Sequence, residues 1–245
     1  MLTVQWSKAP IGCDLAWTLV FVGLVFLLWI MVGAMKHAGC LNSGIARKLN
    51  HAGVLVGGAA WFSALPPSLA RGSLLLAAVL LFGLLVVTCL FRSRIGLATA
   101  YYGYVRQAEA PHAGFEWGVS WLLAIYGVSL VDILFADWNL TLSAMLVLGL
   151  ADAAGEVVGA RWGRRRFAAP DLLFGGTHHR SWEGSTAVLL TTAIVLTARG
   201  IDPLRALPCA LAVTLTEACS PRGCDNFTVP VACGCCLRLL TLISQ

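Results

Sequence analysis

The sequence predicts an all-α polytopic membrane protein of about eight transmembrane helices, and three observations carry that expectation. Of 245 residues, 58% are hydrophobic and only 12% charged, with a mean hydropathy of +0.80; a soluble domain carries about 25% charged residues. Several apolar runs approach the ~20 residues that a helix needs to cross a bilayer. The basic residues fall in alternate loops, the pattern of the positive-inside rule.

Taken in order, the candidate spans are about 15–34, 52–66, 73–91, 118–136, 139–159, 184–199, 204–219 and 227–243. The first run is longer than the ~7–15 residues of a signal-peptide core, so it reads as a span and not as a cleavable leader. The second and sixth are short and carry glycine or threonine. No repeat or linker divides the chain, which reads as one integral membrane domain, 1–245. Lys36, Arg47 and Lys48 follow span one, Arg92, Arg94 and Arg106 follow span three, Arg161, Arg164, Arg165, Arg166 and Arg180 follow span five, and Arg222 follows span seven. The other side has Lys8, Arg71, Arg199 and Arg205. Both termini are therefore expected on the non-cytoplasmic side. The net charge of +5 is modest and the basic residues cluster in particular loops, which fits membrane topology better than nucleic-acid binding. Trp6, Trp117, Trp121 and Trp138, with Tyr101, Tyr102 and Tyr104, read as interfacial anchors. Nine cysteines match no standard zinc spacing and read mostly as small apolar residues.

The polar constellations all lie towards the cytoplasmic side. Asp152, Gly155, Glu156 and Gly159 follow an i, i+3, i+4, i+7 pattern and share one helical face. Carboxylates inside a membrane helix are costly and mark function. Two of them one turn apart suit Mg²⁺, which takes oxygen ligands and keeps substrate phosphates in its shell. They also sit at a helix C-terminus, where the macrodipole disfavours negative charge. Helix packing through the glycines, with the acids paired to arginines, is the other reading. Arg161 and its neighbours are topology signals, of which one or two suit phosphate. Ser181 reads as a helix N-cap, and Glu183 as a metal ligand, a base or an ordinary first-turn acid. His178 and His179 read as solvated loop residues or phosphate contacts and not as a zinc pair. Glu217 is a further acid at a helix end, and Asp225 and Asn226 can cap the last span, with Pro230 in its first turn. Asn50 reads as the cap of span two, beside Arg47, Lys48 and His51. Asp132 has no assigned role. No GxxxxGK[ST], GxSxG or HExxH motif is present.

Four blocks carry a resemblance. ARKLNHAG (Ala46 to Gly53) resembles an RKxxH entry, and LADAAGEVVGARWG (Leu150 to Gly163) resembles GDGLADIVGRRFG. RSWEGS (Arg180 to Ser185) resembles KSWEGS, and TEACSPRGCDNFTVP (Thr216 to Pro230) resembles an E…DNxTVP block. In this order they resemble the polyprenol kinase family: dolichol, phytol and farnesol kinases and CTP-dependent diacylglycerol kinase. The chain is more distantly similar to phosphatidate cytidylyltransferases. The likeness covers about 46–231. It departs at Ala151, where glycine is usual, at Glu156, where aspartate is usual, and at Arg180, which replaces lysine. The resemblance implies a kinase that moves the γ-phosphate of CTP or another nucleoside triphosphate to an isoprenoid alcohol at the cytoplasmic face. It implies Mg²⁺ on Asp152, Glu156 and Glu217, and phosphate contacts from Arg47, Lys48, His51, Arg161, Arg180, Ser181, Ser185, Asn226 and Thr228. Glu183 or Asp225 would act on the alcohol. A cytidylyltransferase, or a transporter or scaffold, is the alternative.

Overall fold

The computed structural model describes residues 12–91, 113–170, 177–221 and 223–243. Among them the chain forms eight helices in the order expected: α1 (Leu15–His37), α2 (Ser43–Ser63), α3 (Pro67–Leu90), α4 (Ala113–Phe135), α5 (Trp138–Trp162), α6 (Trp182–Ala198), α7 (Pro203–Cys219) and α8 (Asp225–Ile243). Five of them, α1, α3, α4, α5 and α8, are long and apolar enough to cross a membrane. At 17 residues, α6 and α7 reach only about 26 Å along their axes. The expectation of a purely helical chain is corrected at one place. Between α5 and α6, β1 (Arg166–Pro170) pairs antiparallel with β2 (Thr177–Ser181), with Phe167 opposite Arg180 and Ala168 opposite His179. His178 and His179 are thus in a strand and not in an irregular loop. Lys8, Arg92, Arg94, Arg106, Arg222, Trp6, Tyr101, Tyr102, Tyr104 and the side chain of Trp117 lie outside the described residues.

Short polar side chains set the helix starts. Asp14, Asn42, Asp137, Ser181 and Asp202 each accept a backbone N–H from the first turn that follows, which satisfies donors that the helix cannot. Ser181 is the cap that the sequence predicts, but Asn50 is not. The cap of α2 is Asn42, which accepts from Ile45 N at 2.9 Å, so α2 begins about two turns before the expected span and draws Arg47, Lys48 and His51 into its body. Pro230 is likewise inside α8 and not in its first turn; it is tolerated where it packs on Gly127 of α4, whose missing Cβ would stand 2.8 Å from Pro230 Cγ. Two helix ends use left-handed glycines, Gly39 (φ 77°) and Gly200 (φ 80°). After each, a 6→1 bond (Cys40 N to Met35 O, Ile201 N to Leu196 O) closes the end as a Schellman turn.

The hub is α5, which packs against α2, α4, α6 and α8 and has half of its apolar stretch buried. Outside this core, Leu19, Leu24, Val79, Ile194, Leu204 and Leu215 face outward, and so large an apolar exterior is a membrane surface. Trp121 and Trp138 correct the anchor reading. Trp121 packs edge-on to Trp29 at 6.1 Å, and Trp138 is buried in the core. Asp132, unassigned from the sequence, accepts from Arg71 Nε at 2.9–3.0 Å and from Thr141 at 3.2 Å. It is a structural tie between α3, α4 and α5 at the end of the bundle away from Asp152.

Candidate functional site

At the other end, the starts of α2, α6 and α8 meet the ends of α5 and α7. On α2, Arg47 and Lys48 lie four and three positions before His51, so the three share a face. That face lies on α5, where Asp152 and Glu156 are one turn apart. Lys48 Nζ donates to Asp152 Oδ2 at 2.5 Å and lies 3.1 Å from Glu156 Oε2. Arg47 pairs with Glu156. His51 Nε2 stands 3.6 Å from Asp152 Oδ2. The Lys48 and Asp152 side chains are only 10% and 9% exposed. Charges so far from water persist only if paired, so each group here depends on the others.

A second set centres on Arg180, at the end of β2. Its guanidinium pairs with Glu217 of α7, reaches Asp225 Oδ2 of α8 at 3.2 Å, and donates to Ser220 O at 3.4 Å. Its Nε donates to His178 Nε2 at 3.2 Å. The planar fork of arginine suits two acceptors on two different helices. The two sets place four carboxylates and three permanent cations at the same end of the bundle.

The glycines and the acids of α5 part company. Asp152 and Glu156 face α2, whereas Gly155 and Gly159 face the start of α6. A Cβ on Gly184 would stand 2.8 Å from Gly155 O and 3.3 Å from Gly159 Cα. The glycines therefore serve backbone contact, as the packing reading had it. The acids are indeed paired with basic residues, but with Arg47 and Lys48 of α2 and not with the arginines that follow them in sequence. Arg161 is exposed, its guanidinium 5.2 Å from the centre of the Trp162 ring, and Arg164, Arg165 and Arg166 are exposed too.

The remaining predicted residues divide. Ser181 is committed to its cap, accepting from Gly184 N at 3.1 Å. Glu183 Oε1 accepts from Arg165 N at 3.3 Å. Backbone N–H groups, first its own and then those of Arg164 and Arg165, hold its carboxyl below the usual carboxylate range. Asn226 donates to Ser120 of α4, and Thr228 hydrogen-bonds Ser220 Oγ at 2.5 Å and Cys224 O at 3.1 Å; both stitch helix ends together. Ser185 is buried and its hydroxyl has no partner. Glu217 is the partner of Arg180, and among the described residues no three or more His, Cys, Asp and Glu side chains are grouped as a metal site.

Two residues escaped the sequence reading. Ser120 had no local signal, since its partner lies 106 positions away. Asn50, taken as a cap, is instead 3% exposed with neither amide atom hydrogen-bonded. Arg47 Nε and His51 Nε2 are also buried without a hydrogen-bond partner. Native structures leave few buried polar groups unsatisfied, and these atoms all belong to residues between 47 and 51 of α2.

Fold and site together define a helical, multi-pass membrane protein with a buried charged network at one end of its bundle. No family model, no curated protein and no solved structure matches the chain.

Proposed function

We propose that this protein is a membrane-embedded lipid kinase that transfers the γ-phosphate of a nucleoside triphosphate, CTP in the first place, to an isoprenoid alcohol at the cytoplasmic face. One observation carries the reading. The four sequence blocks that resemble polyprenol kinases, spread over about 46–231, supply two sets of buried ion pairs at one end of the bundle, with unsatisfied polar atoms beside them. A scaffold has little use for such a layer, because burying charge costs more than burying apolar side chains of the same volume.

Arg47, Lys48 and Arg180 are the phosphate partners in this reading. Each now holds a carboxylate, and an arriving triphosphate would exchange with it. Mg²⁺ fits only on those terms. Asp152 and Glu156 are already neutralised, and two carboxylates suffice for Mg²⁺ when phosphates and water complete its shell. The residues thus suit a metal that comes with nucleotide. When bound, Mg²⁺ would neutralise charge on the phosphates. The chain's own part is to position and stabilise, which is most of phosphoryl-transfer catalysis. The alcohol oxygen forms a bond to the γ-phosphorus, the bond from that phosphorus to the β-bridging oxygen breaks, and the hydroxyl proton passes to a carboxylate. Asp225 adjoins the network and Glu183 is held on the hairpin, so Asp225 is the better placed of the two.

The test is transfer from CTP labelled at the α or the γ position, with Mg²⁺, to a panel of prenols and diacylglycerol, using the purified protein in lipid nanodiscs. Label from γ in the lipid supports the kinase. Label from α means cytidylyl transfer, and no transfer from any of the four nucleoside triphosphates overturns the enzyme reading. Asp152→Asn should abolish turnover in a protein that remains folded.

A further inference from the structure

Where α5 gives way to the hairpin the chain reads RWGRRR (Arg161 to Arg166), with four arginines and no acid. All four arginines are exposed. Arg47, Arg71 and Arg180 each have a carboxylate partner, whereas among the described residues none of these four is in an ion pair. The positive-inside rule explains the side on which they lie, but not what meets their charge once the helices have packed. The backbone beneath them is fixed. A Cβ on Gly163 would stand 2.7 Å from Ser181 Oγ. Trp182 N donates to Arg165 O at 3.0 Å, Arg165 N donates to Glu183 Oε1 at 3.3 Å, and Arg166 pairs with Ser181 across the hairpin. The start of α6 thus holds the turn that carries the arginines. Its level in the membrane follows from length. With 25 residues, α5 is about 37 Å long, against a hydrocarbon core of ~30 Å, so its last turn reaches the headgroups. There Trp162 and Trp182 are 56% and 63% exposed, and Phe167 packs on Trp182 with ring centres 5.3 Å apart. Exposed tryptophan is characteristic of the membrane interface.

We infer that this turn is a binding surface for the headgroups of anionic phospholipids in the leaflet at this end of the bundle. Guanidinium groups match phosphate oxygens in pairs, and tryptophan suits the boundary between headgroup and acyl chain. A zwitterionic lipid also offers phosphate, but its own cation cancels the charge. Only an anionic lipid supplies the net negative charge that four unpaired arginines attract. Glu183 is close by, yet it accepts from the backbone of Arg165 and makes no ion pair with these side chains. A soluble anion would meet the arginines and leave the tryptophans without a role; the two residue types at one level select a lipid. Each basic residue near such a surface adds about fivefold to binding, and the attraction fades beyond a Debye length. This surface goes beyond the proposed kinase reading and does not depend on it, since its readout is lipid binding and not transfer.

The experiment titrates the full chain, purified in a neutral detergent, with phosphatidylglycerol or with phosphatidylcholine of the same acyl chains, and counts bound lipid by native mass spectrometry. Phosphatidylglycerol should bind about tenfold or more tightly than phosphatidylcholine. Arg165→Gln should weaken phosphatidylglycerol about fivefold and leave phosphatidylcholine unchanged. The quadruple variant Arg161→Gln/Arg164→Gln/Arg165→Gln/Arg166→Gln should lose the preference, whereas Arg205→Gln, at the opposite end of the bundle, should keep it. Thermal unfolding in the same detergent without added lipid should be alike for all of them, because the four side chains are exposed. Should the quadruple variant unfold early, the native chain still decides. Its preference measured in lipid nanodiscs should shrink severalfold between about 50 and about 500 mM salt, as screening requires. A preference that survives loss of all four arginines, one that salt does not touch, or equal binding of the two lipids to the native chain would overturn the inference. So would displacement of phosphatidylglycerol by inorganic phosphate at the same concentration, which would make this a site for a free anion.

Discussion

Removing Lys48 should cost far more than removing its partner Asp152, and the structure says why. Lys48 holds two carboxylates, at 2.5 and 3.1 Å. Lys48→Met takes the cation away and leaves Asp152 facing Glu156 one turn along α5, with only His51 at 3.6 Å. Breaking a buried pair in this way costs about 3–5 kcal/mol, a large part of the ~5–15 kcal/mol by which a typical protein is stable. In Asp152→Asn, Lys48 keeps Glu156 and the new amide can still accept, so the loss should be about 1–2 kcal/mol, the scale of a hydrogen bond to a charged group. In the double variant Lys48→Met/Asp152→Leu both buried charges go, Glu156 keeps Arg47, and most of the stability should return, since an apolar pair of similar volume can replace a buried ion pair. Thermal unfolding of these proteins and of Asp152→Leu alone in one detergent, followed by thiol accessibility of the buried Cys209 and Cys233, closes a double-mutant cycle for Lys48→Met and Asp152→Leu. If Lys48→Met is no worse than Asp152→Asn, or if the double variant is worse than both singles, the pairing described here does not hold this end of the bundle together.

Two further outcomes follow from the packing and from the opposite end. Gly184→Ala would bring a methyl to 2.8 Å from Gly155 O; because that neighbour is backbone, the crossing of α5 and α6 should part, costing about 1–3 kcal/mol, whereas Gly57→Ala, with nothing within 4 Å, should be neutral or stabilising by up to about 1 kcal/mol, as the same unfolding assay would read. Asp132→Asn should lower stability, because it discharges the Arg71 tie, yet leave the KM for nucleotide of the proposed kinase reaction unchanged, since it lies at the end of the bundle away from Asp152; a KM that rises with it in that assay would contradict the proposed site.

Much of this architecture was legible in the chain. Hydropathy located eight helices in order, because a helix that buries one face in protein and the other in lipid must be apolar all round. The Ser181 cap was legible because its partner, Gly184 N, is three residues away. Asn50 and Asn42 show the limit: both are asparagines ahead of an apolar run, and only the docking of α2 against α5 makes the earlier one the cap and buries the later one. The hairpin escaped for a related reason, since a two-stranded sheet is held by cross-strand partners and not by any hydropathy of its own.

The candidate site divides along the same line. Composition and spacing were enough to single out Asp152 and Glu156, because carboxylates so deep in an apolar helix cannot be neutral to its energy. Who neutralises them was decided by the fold alone. The nearest cations along the chain, Arg161 and its neighbours, face outward, and the partners come from more than a hundred positions away on α2. Proximity in sequence sets which charges share a helix, but Coulomb attraction in a low-dielectric interior acts on distance in space. That distance is set by the close approach of α2 to α5 at Gly149, where a Cβ would stand 2.9 Å from Leu55 Cβ.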